Sequence, residues 1–116
     1  MPKSNPEYTT KEKAGKHDTV SPLLNAAYNE MQDLTKKKPE GTLTPYQVKM
    51  LNRLLVDIRD MLVDEPSIKY LDLLADEDLP QHSEVTLILS QYSAALGQFK
   101  SRYFGYNGNE HAWFVS

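Results

Sequence analysis

Cysteine is absent from the 116 residues, which excludes a disulfide-stapled scaffold, thiolate zinc sites, iron–sulfur clusters and cysteine nucleophiles. No apolar run approaches the roughly 20 residues that a membrane-spanning helix needs. The opening stretch MPKSNPEYTTKEKAGK lacks the apolar core of a secretory signal. Glycine-rich phosphate loops, the G-x-S-x-G nucleophile turn and helical H-E-x-x-H are also missing. The mean hydropathy is negative and hydrophobic residues make up 40%, so part of the chain is expected to stay outside the core. These absences predict a cytoplasmic, single-domain protein without a cofactor, and they leave little from which to build an enzyme.

What is present is helical periodicity. Residues 1–19 carry four Lys and two Pro, with Tyr8 and Ala14 the only apolar residues after Met1, and they read as a flexible basic arm. Ser21-Pro22 reads as an N-cap followed by proline at the first helical position. Leu23, Leu24, Ala27, Tyr28, Met31 and Leu34 then recur at helical spacing up to Lys36-Lys37-Lys38, and Pro39-Glu40-Gly41 stops the helix. Thr44-Pro45-Tyr46-Gln47 combines an N-cap, a proline at N1 and the Gln of a capping box. It opens a second helix over 45–63 with Val48, Leu51, Leu54, Leu55, Ile58 and Leu62 facing inward.

Beyond the break at Asp64-Glu65-Pro66, Ile68, Leu71, Leu74 and Ala75 predict a short helix of about three turns. Ser83 is expected to cap a long fourth helix carrying Val85, Ile88, Leu89, Tyr92, Ala95, Leu96, Phe99 and Tyr103. Gly97 suggests close approach of a neighbouring helix, and Gly105 a left-handed C-terminal cap. The predicted architecture is all-α: a small antiparallel bundle over residues 20–105, with three long helices and one short one. Residues 106–116 form an aromatic tail whose Asn107-Gly108 is a turn signal, but which is too short for an independent hairpin.

Charge is split along the chain. Residues 57–84 hold nine acids and two bases, a local net of −7, while the remainder is +4 and the whole is −3. Asp57, Asp60 and Asp64 share one helical face and read as an acidic contact surface or simply a solvated one; half of a hard-metal site is the weaker alternative. The three histidines, His17, His82 and His111, lack a Glu-x-x-His pattern. The exposed faces lack the Arg, Lys, Asn and Gln pattern of nucleic-acid readers.

Aromatic residues are concentrated near the C-terminus. Tyr92, Phe99 and Tyr103 fit an ordinary core stripe, whereas Phe104, Tyr106, Trp113 and Phe114 exceed what one helix face buries. The excess either covers the bundle or projects as anchors for another chain, with Arg102 placed for a cation–π contact or an anion. The expected function is therefore a non-enzymatic helical protein–protein interaction module, such as an adaptor, assembly factor, inhibitor or immunity-type subunit. Protein partners or self-association as a homodimer are expected, and nucleic acid and membrane are not. The alternative is a small-ligand binder with an aromatic pocket between the fourth helix and the tail, formed by Tyr92, Phe99, Arg102, Tyr103 and Trp113.

Overall fold

A computed structural model describes residues 6–116 of the chain, within overall extents of 49 × 24 × 20 Å. The fold is mostly helical: α1 (Lys11–Lys37), α2 (Pro45–Met61), a short 3-10 turn (Pro66–Tyr70) and α3 (His82–Tyr103) precede β1 (Phe104–Tyr106) and β2 (His111–Trp113). Thr35 and Thr86 share a hydrogen bond at one end of α1, and His17 meets the Leu96 carbonyl at the other, so α1 and α3 run antiparallel. The start of α2 lies beside the end of α1, with Met50, Gln47 and Leu43 near Ala27, Met31 and Leu34. At the other ends Lys13 reaches Asp64, which makes this pair antiparallel as well.

The core is the shared apolar interior of the three helices. Leu24, Leu55, Ile58, Leu62, Val85, Leu89 and Tyr92 are fully enclosed. The inward stripe read for the second helix is buried apart from Leu54, which is half-buried, and that of the fourth is buried apart from Ile88. The Thr44 capping box is present in full: Thr44 Oγ1 accepts from the Gln47 amide, and the Gln47 side chain accepts from the Thr44 amide.

Several expectations need correction. The arm ends far earlier than residue 19, because Thr10 caps α1 by accepting from the Lys13 amide, and the helix passes through Ser21 and Pro22 without a break. Ala14, His17, Val20 and Leu24 form one continuous buried stripe, which offsets the roughly 3 kcal/mol that a proline costs inside a helix. The stripe centres on Leu24, so Leu23 faces outward rather than inward. The part of the arm before residue 6 lies outside the described residues.

The predicted short helix is only the 3-10 turn. From Leu71 the chain runs without regular structure, because side chains from α2 and α3 take its backbone groups. Asn52 both donates to the Leu74 carbonyl and accepts from the Leu74 amide, at 2.9 and 2.8 Å. Tyr92 donates to the Asp72 carbonyl and Arg59 to that of Leu71, and Leu71 and Leu74 are buried in this extended path.

The fold is also not purely α-helical. The tail joins Phe104–Tyr106 in an antiparallel hairpin with Phe104 opposite Trp113, Gly105 opposite Ala112 and Tyr106 opposite His111. Asn107 accepts from the amides of Asn109 and Glu110, and Gly108 takes φ +98°, a left-handed conformation that favours glycine. The hairpin is not independent. The Phe114 amide donates to the Tyr103 carbonyl, and Thr9 from the N-terminal segment pairs with Val115 in a parallel bridge.

Smaller readings also shift. The α3 N-cap is Gln81 rather than Ser83, with Glu84 completing its capping box. Gly105 lies in β1, against the Phe114 ring, instead of capping the helix. Gly97 is exposed, and a Cβ added there meets no neighbour within 4 Å.

Candidate functional site

The aromatic residues singled out by the sequence divide sharply by burial. Tyr92, Phe99, Tyr103 and Phe114 are buried, and Trp113 is half-buried against the core. Phe99 touches Tyr103 at 4.8 Å between ring centroids and Trp113 at 5.8 Å, while Trp113 meets Phe104 edge-on at 5.3 Å. The rings thus fill the space between α3 and the tail with one another. Trp113 packs against the core of the bundle and Phe114 is buried. Tyr106 is half-buried and leans on exposed His111.

His17, assigned by the sequence to a loose arm, is 96% enclosed at the centre of this cluster, being only 4% exposed. Its ring stacks on Phe99 at 5.7 Å and meets Trp113 edge-on at 5.0 Å. Nε2–H donates to the Leu96 carbonyl at 3.0 Å, while the buried Nδ1 has no partner among the described residues. Burial, the largest influence, lowers the His17 pKa below its ordinary value, and Lys100 acts in the same direction; the Leu96 bond and Asp18 oppose them. This packing ties the first turns of α1 to α3 and to the tail.

Arg102 binds two carboxylates. Its Nε and Nη2 donate to Glu7 at 2.7 and 2.9 Å, and Nη1 donates to Glu65 at 2.8 Å. The Tyr103 hydroxyl donates to the other oxygen of the buried Glu65 at 2.9 Å, and the guanidinium also lies 5.3 Å from the Tyr103 ring centroid. The cation–π contact foreseen for Arg102 is therefore present, but its charge is engaged inside the protein. Glu65 and Glu7 had no sequence signal beyond their acidity. Burial, then the Glu65 contact, raises the Tyr103 pKa.

The acidic residues fare differently. Asp57, Asp60 and Asp64 are all exposed, and Asp64 pairs with Lys13 at 3.3 Å. Among the described residues no group of three or more His, Asp or Glu is arranged to hold a metal ion. His82 serves the fold, with Nδ1–H donating to the Lys38 carbonyl at 2.9 Å and its ring against Gly41.

Among the described residues, nothing covers an apolar surface on the outside of α1 and α2. Tyr46 is 73% and Leu23 54% exposed, and Met50 and Val56 are exposed beside them. Grooves run along this face. One is lined by Tyr46, Lys49, Met50, Arg53, Val56 and Asp57, and the next by Leu23, Ala27, Met50, Leu54 and Asp57. Met50 and Met61 both flank the inward stripe of α2 in sequence, yet Met50 is exposed and Met61 is buried. The surface combines exposed apolar side chains with both signs of charge. No protein-family model matches the chain, and neither curated proteins nor solved structures show a match to it.

Proposed function

We propose that this chain is a non-enzymatic protein–protein interaction module that binds through the outward face of α1 and α2. The observation that carries the reading is the exposure of Leu23, Tyr46, Met50 and Val56 along one continuous grooved surface. An exposed apolar cluster bordered by charges is a feature of interaction sites, because water is released from it on contact. α3 and the hairpin form the supporting scaffold, with their aromatic rings engaged internally. The small-ligand alternative loses support from the same packing, since its rings occupy one another.

A photo-reactive amino acid at position 50, compared with one at the exposed position 87 on α3, tests this reading. Cross-linking in cells to a protein from position 50 and not from position 87 is expected. Equal labelling from both positions, or none from position 50, would refute the role of this face.

A further inference from the structure

The outward stripe of α2 has a charge order that makes it complementary to itself. Tyr46, Lys49, Met50, Arg53, Val56, Asp57 and Asp60 follow one another at steps that keep them on one side of the helix, and all are exposed. The two cations occupy the N-terminal half of the stripe and the two carboxylates the C-terminal half. Among the described residues none of Lys49, Arg53, Asp57 and Asp60 takes part in a salt bridge, although Arg53 and Asp57 are four residues apart.

From this arrangement we infer that the face binds a second copy of the same chain, with the two α2 helices antiparallel about a twofold axis near residue 55. This inference rests on the reading of the face as a protein-binding surface. A twofold interface presents the same patch from both partners, so a stripe that runs from positive to negative meets its opposite when reversed. Arg53 then faces Asp57 of the second copy, and Lys49 faces Asp60, each pair occurring twice. Parallel packing would instead set cation against cation and acid against acid. Leu23 lines the same groove as Arg53 and Asp57, close to the axis, so the two Leu23 side chains meet there and supply the apolar centre. Tyr46, at the end of the stripe, reaches toward Val63 of the second copy, which is also exposed.

The strength expected is modest. α2 has 17 residues and is about 25 Å long. One helix face with the adjoining edge of α1 falls below the roughly 800 Å² per partner of a standard stable interface. Association on the order of micromolar to millimolar follows, with steep salt dependence because the pairs are exposed.

The test is sedimentation equilibrium of the full chain and of two charge variants up to about 1 mM, at low and high salt. K49D/R53D makes the stripe wholly acidic, and D57K/D60K makes it wholly basic. The wild type is expected to dimerise reversibly, each variant alone to associate on the order of tenfold or more weakly, and their mixture to regain a one-to-one dimer. Helical circular dichroism identifies any variant that fails to fold, and Leu23→Glu in the wild-type background is a second, independent disruption of the dimer. A wild type that stays monomeric to about 1 mM overturns the inference, as does a dimer indifferent to all these substitutions. The broader reading is tested separately: a monomeric chain that still cross-links another protein from position 50 keeps the face and loses only the second copy.

Discussion

His17 donates Nε2–H to the Leu96 carbonyl at 3.0 Å, which joins the first turns of α1 to the last turns of α3 and leaves Nδ1, a lone-pair acceptor in this tautomer, buried without a donor among the described residues. The folded state therefore disfavours the imidazolium, whose second N–H would have no partner among Phe99 and Trp113. The folded pKa lies below the ordinary value of 6.5, so below that pH the unfolded chain binds more protons. Stability is expected to be full above about pH 6.5 and to fall as the pH drops from there toward the folded value. Urea unfolding followed by Trp113 fluorescence between about pH 7.5 and 5 measures the slope, and His17→Gln should flatten it.

Glu65, Arg102 and Tyr103 act as one unit. Tyr103→Phe removes the donor to a buried carboxylate and should cost about 1.5–3 kcal/mol. Arg102→Met should also destabilise, though less than loss of a fully buried pair, because the guanidinium is partly exposed. Chemical denaturation of both single variants and the double variant should show a coupling of roughly 0.5–3 kcal/mol; strict additivity would mean that the contacts are independent.

The segment before α1 is held to the end of the hairpin where the Thr9 amide donates to the Phe114 carbonyl at 2.9 Å. Removal of residues 1–16 takes away the α1 cap, Ala14 and the Thr9–Val115 bridge. A chain ending at Gly105 uncovers His17 and Phe99. Both truncations should lower the thermal midpoint substantially, with loss of a cooperative transition in the worse case. A midpoint unchanged by deletion of 1–16 would contradict the packing of α1.

Gly41 sits where a Cβ would come 2.8 Å from the His82 ring. The His82 amide donates to the Gly41 carbonyl at 2.7 Å, so the loop cannot move away freely. Gly41→Ala should cost about 1–3 kcal/mol through overpacking. In the core, Leu55→Ala should cost about 2–5 kcal/mol, whereas Leu87→Ala on the exposed face of α3 should stay within about 0.5 kcal/mol.

Much of the helical framework was legible because it rests on local rules. The Thr44 capping box and the Val48-to-Leu62 stripe need only nearby residues, and α2 follows them closely. The start of α1 was hidden because its buried stripe runs through a histidine, and Pro22 resembled a helix start. The 71–80 path was hidden because its backbone partners, Asn52, Arg59 and Tyr92, are 12 to 22 positions distant in sequence. Length alone argues against the hairpin, whereas Trp113 packs against the helical core and Phe114 is buried, support that comes from residues far away in sequence. The Leu23–Tyr46–Met50 surface illustrates the same limit: periodicity separates faces, but only packing shows which apolar residues stay uncovered.

Hydroxyl-radical footprinting tests the central claim most directly, by comparing the full chain in dilute solution with the chain bound to its cross-linked partner or concentrated to about 1 mM. Tyr46 and Met50 should be oxidised in the dilute protein and protected in the associated state. Met31 and Met61, both buried, and Trp113 and Phe114 should react equally in the two. Protection confined to Trp113 and the hairpin, with Tyr46 and Met50 unchanged, would contradict the account.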